Sequence, residues 1–121
     1  CAASLASLKL FDDNRVLDNV QTISQQLQTR MAELQSHSRV GEVRQKGIMV
    51  GIELVRDRDG NEPYPAADRI GHQVTLASRR RGVMIRPLGD VIVLMPAPAM
   101  PVELIDQLCD AAIESINEVT A

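Results

Sequence analysis

Aromatic side chains are nearly missing from this chain of 121 residues: Phe11 and Tyr64 are the whole set, and tryptophan is absent. Any core must therefore be assembled from Leu, Ile, Val, Met and Ala. A cationic excess is also lacking. The formal net charge is −3, which argues against a nucleic-acid partner, because that binding depends on clustered positive charge. Cys1 and Cys109 are the only cysteines. They form no disulfide framework and match no metal spacing, a usage that suits a reducing, cytoplasmic compartment. No apolar run approaches the roughly 20 residues of a membrane span. The longest, 91–101, is interrupted by Pro96, Pro98 and Pro101, so no membrane partner is expected.

Catalytic signatures are equally scarce. His37 and His72 lie far apart, neither with a second ligand at metal spacing. They read as surface or cap residues. Gly41, Gly47 and Gly51 compose neither a dinucleotide fingerprint nor a phosphate loop. Lys9 and Lys46, the only lysines, stand in no recognisable catalytic context. Cys109 falls inside a helical pattern and reads as a small buried hydrophobe rather than a nucleophile. No nucleophile–base pair or triad can be assembled, so this chain alone is not expected to carry out covalent catalysis.

What is present suits one domain or a piece of a larger one, with 45% apolar residues to build a core. The opening Cys1-Ala2-Ala3-Ser4-Leu5 has no initiator methionine and no signal pattern, and it reads as though it begins within a helix. The expectation is a fragment. Leu5, Leu8 and Phe11 make one face of a short helix ending near Asp12-Asp13-Asn14. Val16, Val20, Ile23, Leu27, Met31 and Leu34 step by three or four residues, which predicts a second helix about five turns long, closed by His37, Ser38 and Gly41. The period then changes. Val40 to Arg44 and Ile48 to Val55 read as strands, with Gly47 as the turn or bulge between them. A turn cluster at 57–61 and a proline-flanked loop at 63–65 precede a third helix, predicted over 67–81 with Ile70, Val74 and Ala77 inward and Gly82 as its stop. Two strands, 83–86 and 91–95, follow around a tight turn at Leu88-Gly89-Asp90. Pro101 and Glu103 open a last helix with an inward stripe of Leu104/Ile105, Leu108, Ala112, Ile116 and Val119. This order predicts an α+β domain over 1–121, with a small, mostly antiparallel sheet covered by helices on one face.

One residue carries the clearest link to chemistry. Arg86 sits within Val83-Met84-Ile85-Arg86-Pro87-Leu88-Gly89-Asp90-Val91-Ile92-Val93-Leu94-Met95-Pro96. A guanidinium is costly to desolvate, so an arginine embedded in apolar strands implies an acidic partner or an anionic ligand. Its flat donor fork suits a substrate carboxylate. The competing reading is a structural ion pair with Glu53 or Asp90. Arg79-Arg80-Arg81 reads as a solvated last helical turn that complements the helix dipole rather than as a binding patch.

The whole chain resembles the C-terminal region of the class III (subgroup II) pyridoxal-phosphate aminotransferases. Three segments carry the likeness: 1–8, 43–54 (Val-Arg-Gln-Lys-Gly-Ile-Met-Val-Gly-Ile-Glu-Leu) and 82–96. The first two fit many members. The Arg-Pro-Leu-Gly-Asp run with its following Leu-Met-Pro is more specific to the branch that aminates the keto acid 8-amino-7-oxononanoate in biotin synthesis. The resemblance implies the small C-terminal domain of a fold-type I enzyme, with Arg86 on the keto-acid carboxylate. The cofactor it implies, pyridoxal 5′-phosphate, would be held by a lysine and an aspartate upstream of Cys1, so this stretch would hold no catalytic or cofactor-binding residue. S-adenosylmethionine or lysine would be the amino donor and a homodimer the assembly. Some members have a tyrosine where Val93 stands, and the missing hydroxyl bears on substrate contacts and donor preference. The alternatives are an ω-amino acid, 4-aminobutyrate or ornithine aminotransferase, or a stand-alone binding module that reuses the fold without catalysis.

Overall fold

The computed structural model describes residues 1–121 and contains four helices, Ala2–Asp13 (α1), Val16–Met31 (α2), Ile70–Arg80 (α3) and Val102–Thr120 (α4). Four strands, Val40–Lys46 (β1), Met49–Leu54 (β2), Arg86–Leu88 (β3) and Val91–Leu94 (β4), form one sheet in the order β1-β2-β4-β3. Every pairing is antiparallel. The expected α+β architecture is present.

Alternation in β2 and β4 sets the layers. Val50, Ile52 and Leu54, with Ile92 and Leu94, turn to one face and are at most 2% exposed, as the two-residue side-chain period of a strand requires. Against them lie Ile23, Leu27 and Met31 of α2, Val74 of α3, and Ile105, Cys109, Ala112 and Ile116 of α4 in one cluster. Burying a side chain such as Ile52 contributes about 2–3 kcal/mol. The opposite face of the sheet carries Met49, which is exposed, and Gly51, Glu53, Val91 and Val93, which are half-buried.

Helix boundaries follow local chemistry. Of the stripe predicted for the second helix, Val16, Ile23, Leu27, Met31 and Leu34 are buried and Val20 is half-buried, but its last turn tightens into a 3-10 segment over Ala32–Ser36. Arg15, in a left-handed conformation (φ 50°), separates α1 from α2. The face Leu5, Leu8 and Phe11 does form on α1, yet none of its residues is buried. The third helix starts later than its pattern implied. Ala66–Asp68 is a 3-10 turn, Arg69 is left-handed (φ 47°), and the α-helix begins at Ile70. Of the Leu104/Ile105 pair expected to head the inward stripe of α4, Ile105 is fully buried and Leu104 is 48% exposed; Cys109 is fully buried, in keeping with its reading as a small hydrophobe.

The strand expected at 83–86 is displaced. Only Arg86–Leu88 pairs, with Arg86 opposite Val93 and Leu88 opposite Val91 around a Gly89-Asp90 turn. Extending that register would set Val83 opposite Pro96, which has no N–H to give to a ladder. Both Val83 backbone groups are instead taken by Ser78. At the other hairpin the turn predicted at Gly47 is present, with a positive φ of 58° that favours glycine.

Candidate functional site

β3 holds Arg86 at the edge of the sheet. Directly opposed residues of an antiparallel pair share a face, so Arg86 stands with Val93 and Gly51 on the side away from the core. The arginine is exposed. Desolvation between apolar strands, the premise that made it conspicuous in the sequence, is not its situation here, because the pleat turns its apolar neighbours Ile92 and Leu94 inward.

The internal ion pair also fails to form. Asp90 Oδ1 accepts from the Gly71 N–H at 3.0 Å, and Glu53 lies 4.0 Å from Arg44. Arg86 takes part in no ion pair or side-chain hydrogen bond. Beside it opens a cleft of about 560 Å³ between the 82–86 segment, the chain from Val93 to Met100 and the first turns of α4. Its walls include Val83, Ile85, Met95, Met100, Leu104 and Leu108, and Arg86 is the only charged residue among them. Asn19 of α2 steadies the loop that forms one wall, its side-chain amide donating to the carbonyls of Pro98 (2.8 Å) and Met100 (3.1 Å). An apolar trough bordered by one guanidinium with no partner in the protein is suited to an elongated aliphatic molecule that ends in a carboxylate.

The other sequence candidates go elsewhere. Arg80 and Arg81 are not merely solvated. Both pair with Glu118 of α4, and Arg81 also holds Glu114 at 3.0 Å. The Arg81 and Arg80 guanidinium groups keep the Glu118 carboxyl below the usual carboxylate range. His37 bridges Asn117 (2.9 Å) and the Arg39 N–H (3.1 Å), a capping role as expected. Burial pushes the Cys109 thiol up to about 11, the opposite of activation. Lys9 is ion-paired with Asp13 on α1, and neither it nor Lys46 borders the cleft. The amine that condenses with a pyridoxal aldehyde is a lysine's, and both lysines of this chain, one ion-paired on α1 and the other ending β1, stand away from this cleft.

Two features escaped the sequence reading. Met84 and Met95, 82% and 65% exposed, border the same cleft as the arginine. Their spacing in the two strand-like runs gave no sign that both would border one cleft. Ser78 and Gly71, which hold the segment around Arg86, gave no motif signal at all.

The model of the class-III aminotransferase family matches residues 1–117. The adenosylmethionine-8-amino-7-oxononanoate aminotransferase of Nitratidesulfovibrio vulgaris is 52% identical over 96 residues, covering 79% of this chain and 18% of the relative. The crystal structure of the Methanocaldococcus jannaschii protein of that name superposes with a TM-score of 0.92 at 38% identity, over 98% of this chain and 27% of the other. A thermostable (S)-enantioselective omega-transaminase from Thermomicrobium roseum gives 0.94 at 30% identity, over 100% and 27%. The chain thus spans about a quarter or less of the length of these relatives. With the antiparallel sheet, the four helices and the family match all in agreement, this chain belongs to the class-III aminotransferases.

Proposed function

We propose that these residues form the C-terminal small domain of a pyridoxal-phosphate transaminase that converts 8-amino-7-oxononanoate to 7,8-diaminononanoate in biotin synthesis, and that Arg86 receives the carboxylate of the keto acid. The observation that carries this reading is an unpaired guanidinium standing as the sole charge on an apolar cleft. The names of the relatives at 38–52% identity supply the substrate. When bound, pyridoxal phosphate supplies the electron sink and the amino-group carrier. The groups that hold it belong, in this reading, to a larger domain of a longer polypeptide. The assembly would be a cytoplasmic homodimer, and the amino donor S-adenosylmethionine or lysine.

Within that scheme the chain's own residues bind and orient. Arg86 offers two parallel N–H donors to the acid end of the substrate, and Val83, Met95 and Leu104 line the path of its alkyl chain and exclude water there. Val93, opposite Arg86, brings no hydroxyl to that surface.

In the full-length polypeptide, Arg86→Ala should weaken use of the keto acid by about 2–3 kcal/mol, roughly 30- to 150-fold in kcat/KM and mainly through KM. Arg86→Lys should restore little, because an ammonium lacks the planar fork. An unchanged KM for the keto acid would remove Arg86 from the pocket. A second reading, a transaminase of ω-amino acids, draws on the Thermomicrobium roseum likeness. Turnover of 8-amino-7-oxononanoate by the full-length protein separates the two, and its absence defeats the biotin assignment.

A further inference from the structure

The sheet holds the segment that carries Arg86 only weakly. β3 is an edge strand with three paired residues, and its middle residue, Pro87, has no N–H to give to the ladder. Helix α3 grips the same segment at two points. Near its C-terminal end, the fully buried Ser78 donates its hydroxyl to the Val83 carbonyl at 2.9 Å. The Ser78 carbonyl in turn accepts the Val83 N–H at 3.1 Å. Near its N-terminal end, Gly71 donates its N–H to Asp90 Oδ1 at 3.0 Å. A Cβ at Gly71 would overlap the Gly89 carbonyl oxygen, so only glycine lets the hairpin tip come this close.

Both grips depart from ordinary helix chemistry. Serine and threonine inside helices usually bond back to a carbonyl one turn earlier. Thr22, Thr29, Ser115 and Thr120 all do so in this chain, whereas Ser78, like Ser24 of α2, gives its hydroxyl to a carbonyl outside its own helix. A helix N-terminus is usually capped by the Ser, Thr, Asp or Asn that precedes it. α3 is preceded by Arg69, which makes no capping bond, and Asp90 supplies the carboxylate from across the hairpin. Val83 and Asp90 bracket Arg86 closely on either side.

We propose that Ser78, Gly71 and Asp90 are positioning residues: α3 is a splint that fixes where Arg86 stands at the mouth of the apolar cleft, and so sets how strongly a substrate carboxylate is recognised. The inference rests on the carboxylate reading of Arg86 and extends it to three residues that touch no substrate.

The test uses the full-length enzyme and compares kcat/KM for the keto acid with that for its neutral carboxamide, the ratio measuring carboxylate discrimination. Asp90→Ala and Ser78→Ala should each lower that ratio about tenfold through KM for the acid, while kcat for the carboxamide stays within about twofold, as a displaced binding group would cause. Asp90→Asn, whose side-chain oxygen can still accept from the Gly71 N–H, should retain most of the discrimination. Ser78→Ala serves as the independent probe should Asp90→Ala not fold. Equal losses on both substrates, an unchanged ratio, or an asparagine variant no better than alanine would each overturn the splint. If Arg86→Ala leaves the ratio unchanged, the carboxylate reading itself falls and the splint with it. If Arg86→Ala abolishes discrimination but the α3 and hairpin variants do not, only the splint is lost.

Discussion

Alanine at position 71 should weaken the fold even though it replaces glycine inside a helix. Gly71 is the second residue of α3, and its backbone is not left-handed. On local grounds, alanine there would stabilise the helix by about 0.5–1 kcal/mol. The tertiary term runs the other way and is larger. The new Cβ would overlap the Gly89 carbonyl oxygen and lie 3.2 Å from Asp90 Cα, both of them backbone atoms that cannot swing aside as a flexible side chain would. Restoring ordinary contact moves the hairpin tip by on the order of 1 Å. The N–H···Oδ1 bond, now 3.0 Å, would then be too long to count as one. Losing a hydrogen bond to a charged group costs about 1.5–3 kcal/mol. Set against the helix gain, the net loss is about 0.5–2.5 kcal/mol. In urea, with a slope of about 2 kcal/mol/M, this moves the midpoint down by roughly 0.3–1.2 M with little change in that slope. Asp90→Ala should cost much less in the Gly71→Ala background than alone, because both changes break one contact. A Gly71→Ala variant as stable as the parent, or more so, would show that the hairpin tip yields freely and that the packing against α3 holds nothing in place.

Other outcomes follow from the same geometry. Removing the Arg86 guanidinium should raise KM for the keto acid and leave the unfolding midpoint nearly unmoved, since the group makes no ion pair in the chain; a large stability loss in urea would point to a structural role. The ratio of acid to carboxamide turnover should follow Asp90 and Ser78, as the comparison of the two substrates will show. Burial raises the folded-state value of the Cys109 thiol to about 11, above the ~8.5 of an exposed thiol. Its contribution to stability is therefore complete below about pH 8.5 and is lost as pH rises toward 11; Cys109→Ala should flatten that alkaline decline, measured by urea unfolding across pH. The Glu118 carboxyl is held low by Arg81 and Arg80, so its contribution is present above the ordinary carboxylate range and disappears as acid titrates it. Glu118→Gln should reduce the acid-side slope of the stability curve, and an unchanged slope would show the pairing to be energetically idle.

Local patterns carried much of the fold. The three- and four-residue steps from Val16 to Leu34 describe a helix face wherever it packs, and the alternation of Val50, Ile52 and Leu54 describes a strand with one covered side. Glycines at 47, 82 and 89 marked turns because each adopts a positive φ. Errors came where a distant group outvoted the local signal. The 83–86 run has the composition of a strand, but Pro96 denies it a partner and Ser78 claims its backbone. Leu104 and Ile105 both fit the head of an inward stripe on α4, and only packing chooses between them: Ile105 is buried and Leu104 borders the cleft. The arginine run at 79–81 looked like a solvated turn because its acidic partners, Glu114 and Glu118, lie in another helix.

Residue order alone determined the four helices, the β1–β2 hairpin and their apolar faces, and that Arg86 was the side chain to watch, since periodicity and composition act over a few neighbouring positions. Only the assembled tertiary structure decided that Asp90 would cap α3 rather than neutralise Arg86, that Glu53 would face Arg44, and that a trough would open beside an unpaired guanidinium. Those outcomes depend on distances between elements remote in the chain. A carboxylate can satisfy only the donor that the packed backbone brings within reach.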